Sequence, residues 1–273
     1  MICTETFVYI HEPKTGGTFI STVLDKIHQL KISQYGFPGK IIPLQFCKSK
    51  YGKFKHYSKT LKHVTCTCIP KNHKHKIILA SIRNPLDLYV SEYHFGWWKN
   101  KRYWSCYQEL PGFNPLKDYF PEISFEEYVR LFNPCKQSIK TLSEKEVRFG
   151  IGPFTKRFAS YYCQDPEILL NKLNQSYTTG IHYQDVVTDI QRNLFDIRFI
   201  TTDNLNCQLY NFLINQGYEK ADIEFILDLD KIRPKKSKQR KEAWQDYYNP
   251  DLKSFVLEQE AVLFDLFPQF SGW

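Results

Sequence analysis

Residues 11–18 read His-Glu-Pro-Lys-Thr-Gly-Gly-Thr, a set of residue types able to surround an anion. Gly16 and Gly17 permit backbone angles and close approaches that a Cβ forbids, so consecutive N–H groups from Thr15 to Thr18 can cradle a phosphate at a helix N-terminus. Lys14 adds a full positive charge, and His11 stands beside the loop as support for it and as a candidate substrate-side residue. The alternative is an ordinary proline-glycine turn into a helix. A Walker A loop is excluded by order, because that motif places its lysine after the glycines and Lys14 precedes them.

A second constellation is Arg83-Asn84-Pro85 with Ser91 eight residues after the arginine. The planar guanidinium of Arg83 matches a phosphate through a charge-assisted fork, and the Ser91 hydroxyl can donate one further hydrogen bond. A third lies at Lys235, Lys236, Ser237 and Arg240, followed by Trp244 and Tyr247-Tyr248; a solvated loop is the competing reading there. Removing a proton from a hydroxyl or amine needs a base within hydrogen-bond reach. His56, His63, His73 and His75 are the histidines available for that role, with a glutamate as the alternative. Trp97, Trp98, Tyr103 and Trp104 follow the second constellation; aromatic faces bind sugars, rings and cations, or simply pack in a core.

The elements that must position these residues follow from periodicity. Thr6 to Ile10 is β-branched and aromatic, then helix-like spacing takes over at Phe19, Ile20, Val23, Leu24 and Ile27, so the motif sits between strand and helix. Ile77 to Ile82 reads as a central parallel strand, and Leu86 to Trp98 as the helix after it. Residues 31–62 suggest an irregular excursion. Phe125 to Phe132 is a helix introduced by Ser124 and Glu127 as a capping box, inside an aromatic-rich lid or acceptor region near 97–155. Tyr177 to Ile181 and Ile197 to Thr201 read as strands, Asp185 to Phe195 and Asn204 to Asn215 as helices, and Pro250 to Phe267 as a closing helix. The alternation predicts one α/β domain over 1–273, a mostly parallel central sheet flanked by helices on both faces, with ligands at the C-terminal strand ends.

Composition narrows the classes. With 37 basic and 29 acidic residues the chain carries a net charge of +8, which favours an anionic partner. No apolar stretch approaches the roughly 20 residues of a membrane span, and the opening residues lack the pattern of a signal peptide. A cytoplasmic protein with mostly free thiols is the expectation for the eight dispersed cysteines. Cys66 and Cys68 form a C-x-C pair in a strand-like run without the second pair of a zinc site, so no metal is expected.

Taken together, the motifs resemble the superfamily of sulfotransferases that use 3′-phosphoadenosine 5′-phosphosulfate (PAPS). HEPKTGGT is similar to its 5′-phosphosulfate loop, and Arg83-Asn84-Pro85 with Ser91 to its 3′-phosphate motif; the HxPKTGGT form looks closest to the carbohydrate, heparan-sulfate 2-O-like branches. The resemblance implies a P-loop-like fold, PAPS as co-substrate with 3′-phosphoadenosine 5′-phosphate (PAP) as product, and His63 in the place of a catalytic histidine. It also implies a basic loop at 233–240, although the Arg-Lys-Gly form of some branches is missing. Ser176 to Gly180 and Ile200 to Asp203 resemble later strands of the family. The expected acceptor is a small molecule or natural product, with a sugar as the alternative, and the expected state is a monomer or homodimer without nucleic acid or membrane. Competing classes are a nucleotide kinase or NTPase, whose G-K-[ST] this chain lacks, and a basic nucleic-acid-binding protein, which would leave Lys14 and Arg83 unexplained.

Overall fold

The computed structural model describes residues 1–28, 45–56, 63–101, 104–108, 110, 112–133, 151–179, 183–230 and 242–272. In chain order it begins with β1 (Ile2–Cys3), β2 (Phe7–Ile10), α1 (Gly17–Ile27), β3 (Gln45–Ser49), β4 (Gly52–His56) and β5 (Ile77–Ile82). Then come α2 (Pro85–Phe95), α3 (Trp104–Gln108), α4 (Phe125–Phe132), α5 (Pro153–Tyr162), α6 (Pro166–Thr179) and α7 (Tyr183–Asn193). The last elements are β6 (Ile197–Thr201), α8 (Leu205–Asn215), α9 (Lys220–Ile223), α10 (Pro250–Gln259) and α11 (Ala261–Leu266). Two compact units result, one from Met1–Arg83 and Leu194–Lys236, the other from Asn84–Asn193 and Ser237–Trp273. Among the described residues no helix is long and apolar enough to cross a membrane.

The first unit is α/β. Its sheet has the order β3-β4-β1-β2-β5-β6 and is mixed: β2, β5 and β6 run parallel, while β1, β3 and β4 join antiparallel. The parallel part is the one that strand-helix alternation predicts. The antiparallel part corrects the expectation of an irregular stretch at 31–62, since 45–56 form a hairpin that pairs with the two-residue β1. Its pairing is a tertiary effect that local pattern does not carry.

One sheet face presents Phe7, Tyr9, Leu79 and Ile200 to α1 and α8, where Phe19, Ile20, Val23, Leu24, Leu209, Phe212 and Leu213 complete the core. The apolar positions of α1 recur at helical spacing, so one face alone is buried. At the end of α1, His28 is only 1% exposed. Its Nδ1 lies 2.9 Å from Ser49 Oγ and its Nε2 3.0 Å from Tyr218 OH. Tyr51, in the hairpin turn, stacks on Tyr218 at 4.3 Å and donates its hydroxyl to Asp222. Burial holds the His28 imidazole down at about 4, against a smaller upward pull from Asp25.

The second unit is helical. Trp98 is fully buried among Tyr93, Phe120 and Tyr128, with ring centroids 5.4–5.9 Å apart. Glu92 joins Arg157 at 2.6 Å and accepts from Trp97 Nε1 at 2.5 Å. The capping box of α4 forms as expected, with Glu127 N donating to Ser124 Oγ and Ser124 N to the Glu127 carboxylate.

Further expectations change. Tyr177 to Thr179 continue α6 rather than forming a strand, and Ile181 lies outside the described residues. Extending an existing helix gains a backbone hydrogen bond for each residue fixed, which outweighs the β-branched composition. Cys66 to Cys68 form a single 3₁₀ turn, not a strand. The closing helix is two helices, α10 and α11, that meet at Glu260.

That joint holds a fully buried carboxylate. Glu260 accepts from Phe154 N at 3.0 Å, Thr155 N at 2.8 Å, Thr155 Oγ1 at 2.7 Å and Tyr89 OH at 2.8 Å, and thereby caps α5. Burial pushes its carboxyl up, while these same hydrogen bonds oppose that shift by favouring the charged form.

Two stability predictions follow from these buried groups. Glu260→Ala leaves several buried donors unpaired and lowers unfolding free energy by on the order of 3 kcal/mol in urea titration. For His28, the unfolded chain binds the extra proton between the ordinary histidine value of 6.5 and the folded value of about 4. Stability contributed by neutral His28 is therefore complete above that window and lost as pH falls through it, by about 3 kcal/mol in total. A His28→Gln chain, measured by the same titration from pH 7 to 4, has a flatter profile.

Candidate functional site

The loop between β2 and α1 is built on the sheet. β2 and β5 pair in parallel with Ile10 opposite Ala80, which sets Ser81 one step further along and beneath the loop. Thr15 Oγ1 donates to the Glu12 carbonyl at 3.0 Å and lies 3.1 Å from Ser81 Oγ, which is in turn 3.3 Å from Tyr9 OH. Each hydroxyl has one proton, so the direction is fixed: Tyr9 donates to Ser81, Ser81 to Thr15, and Thr15 to the carbonyl. Burial holds the Tyr9 phenol well above its ordinary range, which keeps it a donor. The hydroxyl of Thr15 is thus turned into the protein.

Above this chain the backbone is unusual. Lys14 has φ 68° and Gly16 φ 87°, both in the left-handed region. Gly16 precedes the first helical residue, and α1 has no side-chain cap there. Such a helix start leaves N–H groups of its first turn for solvent or an anion. Gly17 is needed for a different reason. A Cβ at this position would lie 2.0 Å from the His11 ring, so glycine leaves the room that the imidazole occupies beside the helix start. His11 is buried, with its ring 6.1 Å from that of Tyr9, a placement that makes it a support for the loop rather than an open substrate contact. Thr18, the second residue of α1, remains half-buried.

Arg83 reaches this loop from the end of β5. Its Nη1 donates to the Lys14 carbonyl at 3.2 Å, bringing together two motifs 69 residues apart in sequence. The rest of Arg83-Asn84-Pro85 starts a helix: Asn84 Oδ1 accepts from Leu86 N at 2.9 Å, and Pro85 supplies a preset φ at the first position of α2. His63 is exposed, with Nδ1 3.1 Å from the His11 carbonyl and its ring 4.7 Å edge-on from that of His11. A carbonyl only accepts, so Nδ1 carries the proton, and Nε2 is the basic nitrogen of the neutral ring. His73, by contrast, is buried in a 3₁₀ turn, while His75 is exposed.

In the second unit, Ser91 is half-buried on α2. Trp98 is core, with no open face for an acceptor. Trp97 is half-buried and tied to Glu92, and Trp104 packs edge-on against Phe120 at 5.5 Å. Lys235, Lys236, Ser237, Arg240 and Tyr103 lie outside the described residues. Sequence reading missed Ser81, which looks like any small residue in an apolar strand. It also missed Thr202 and Leu205, which stand beside Gly16 just after β6. Among the described residues the buried Thr202 hydroxyl has no hydrogen-bond partner, and no group of His, Cys, Asp and Glu is arranged to hold a metal ion.

No family model, curated protein or solved structure matches this chain. The site therefore stands on its own geometry. If Gly17 is glycine because of His11, the two substitutions are coupled: Gly17→Ala alone lowers stability by about 1–3 kcal/mol through overpacking. In a His11→Ala background the same change costs less, which a double-mutant cycle by thermal or urea unfolding reads directly.

Proposed function

We propose that this chain is a sulfotransferase that moves the sulfuryl group of PAPS to a hydroxyl or amine acceptor. The observation that carries the reading is the hydrogen bond from Arg83 to the Lys14 carbonyl, which joins the loop motif to the arginine motif. Sequence supplies both motifs in the order seen in that superfamily; their meeting at adjacent strand ends is what the reading requires. A parallel strand that feeds a glycine loop and a helix, with the lysine ahead of the glycines, supports the P-loop-like part of this reading.

The donor set suits the co-substrate: a lysine, main-chain N–H groups at a helix start uncapped by side chains, and a guanidinium. PAPS, when bound, supplies a sulfuryl group on a phosphate leaving group. Lys14 and the N–H groups of Thr15, Gly16, Gly17 and Thr18 stabilise the negative charge that develops on that phosphate, as preorganised donors do in phosphoryl transfer. Arg83 takes the 3′-phosphate. His63, with Nδ1–H held on the His11 carbonyl, takes the acceptor proton at Nε2. The acceptor is a small hydroxyl or amine compound, with a sugar as the alternative.

Calorimetric titration of the full chain without added metal tests the reading. PAP binds, ATP and AMP bind more weakly, and Arg83→Ala lowers PAP affinity by about tenfold or more, the scale of a lost charge-assisted fork. With PAPS and an accepted acceptor, Lys14→Ala lowers kcat by about 10²–10³-fold. His63→Ala lowers it by about 10²–10⁴-fold with PAP affinity unchanged. Equal or tighter binding of ATP, or no nucleotide binding by folded protein, overturns the assignment.

A further inference from the structure

We propose that Ser81 is a positioning residue of the glycine loop: acting through Thr15, its buried hydroxyl presets the main-chain N–H groups of residues 15–18 for an anion. The identity of that anion as the 5′-phosphosulfate of PAPS rests on the sulfotransferase reading; the pinning of the loop does not.

Ser81 is the polar residue of an otherwise apolar strand, since β5 reads Ile-Ile-Leu-Ala-Ser-Ile. It is fully buried, and its strand lies between β2 and β6, both parallel to it, with Ser81 opposite Ile200. A hydroxyl taken out of water in the middle of a sheet is unfavourable unless it is hydrogen-bonded. Alanine satisfies such a strand without that penalty, so the hydroxyl is explained by what it holds. Its partners are Tyr9 OH at 3.3 Å and Thr15 Oγ1 at 3.1 Å, both in buried residues.

What it holds is strained. Lys14 sits at φ 68°, a conformation that residues with a Cβ rarely adopt and that persists only where the surroundings over-determine it. The bond from Thr15 Oγ1 to the Glu12 carbonyl spans this residue, and Ser81 fixes the same hydroxyl from the sheet. The Thr15 side chain is therefore held both by the backbone of its own loop and by β5. Because side chain and main chain share one Cα, this restrains the peptide group that carries the Thr15 N–H. Gly16 follows at φ 87° with no side chain to restrain it, so loss of the anchor at Thr15 frees the loop where it is softest. Donors stabilise an anion best when their orientation is already set.

The experiment uses the full chain as wild type, Ser81→Ala, Thr15→Val, the double variant and Thr15→Ser. Valine keeps the branched shape of threonine without its hydroxyl, and it reads the same link from the loop side if Ser81→Ala disturbs folding. Amide hydrogen exchange without nucleotide is read at Thr15 to Thr18, with the amides of Leu209 to Leu213 in α8 as the control for global stability. The expected result is loop exchange about tenfold or more faster in Ser81→Ala and Thr15→Val, with α8 unchanged. Calorimetry gives PAP affinity weakened by about fivefold in each, the scale of one hydrogen bond. The hydroxyls act in series, so the double variant loses no more than the larger single loss. The conservative Thr15→Ser recovers loop protection and PAP affinity relative to Thr15→Val.

Faster loop exchange with PAP affinity equal to wild type shows a hydroxyl that is structural only; it overturns the positioning role and leaves the sulfotransferase reading intact. Loop exchange equal to wild type overturns the pinning itself. Thr15→Ser as impaired as Thr15→Val makes packing the cause, and losses that multiply in the double variant make the hydroxyls independent; either result overturns the proposal. Faster exchange in α8 as well as the loop means general destabilisation and overturns it too. A wild type that binds no PAP, with loop exchange and its rescue as expected, supports the pinning and overturns the sulfotransferase reading instead.

Discussion

The parallel register of β2 against β5 is the constraint on which the site depends. With Ile10 opposite Ala80, Ser81 comes to lie on the Tyr9 face and under Thr15, while Arg83 leaves the sheet beside Lys14. A slip of one residue turns Ser81 to the opposite face and leaves the Tyr9 and Thr15 hydroxyls buried without it. The pairing is in turn enforced by burial, since Phe7, Tyr9 and Leu79 all enter one core with α1 and α8. Fold and site are thus coupled through side-chain parity along two short strands.

What could be read from sequence is what local chemistry decides. The strand, loop and helix of residues 7–27 announce themselves because β-branched composition, paired glycines and helical spacing agree. The capping box at Ser124 and Glu127 is legible for the same reason, and Arg83-Asn84-Pro85 contains its own helix start. His63 could be singled out as a candidate, but its partner, a backbone carbonyl 52 residues away, could not.

The illegible parts are non-local. Nothing near Glu260 indicates that its carboxylate caps a helix 106 residues earlier or meets a tyrosine 171 residues earlier. The β3–β4 hairpin has no strong alternation and forms against a strand of two residues. Tyr177 to Thr179 misled because β propensity is a weak claim beside a helix already under way. The Trp97 and Trp98 pair illustrates a further limit: adjacent tryptophans differ in fate, one half-buried and hydrogen-bonded, the other sealed in an aromatic core.

The one-way hydroxyl relay from Tyr9 through Ser81 and Thr15 to the Glu12 carbonyl has a consequence for discrimination. With the Thr15 hydroxyl committed inward, the loop offers an incoming molecule main-chain N–H groups and the charge of Lys14. Such a surface senses charge and size and is indifferent to whether the attached base is a purine or a pyrimidine. In the proposed reading, the choice of adenine therefore falls on segments other than the glycine loop, and alteration of that choice leaves residues 11–18 untouched.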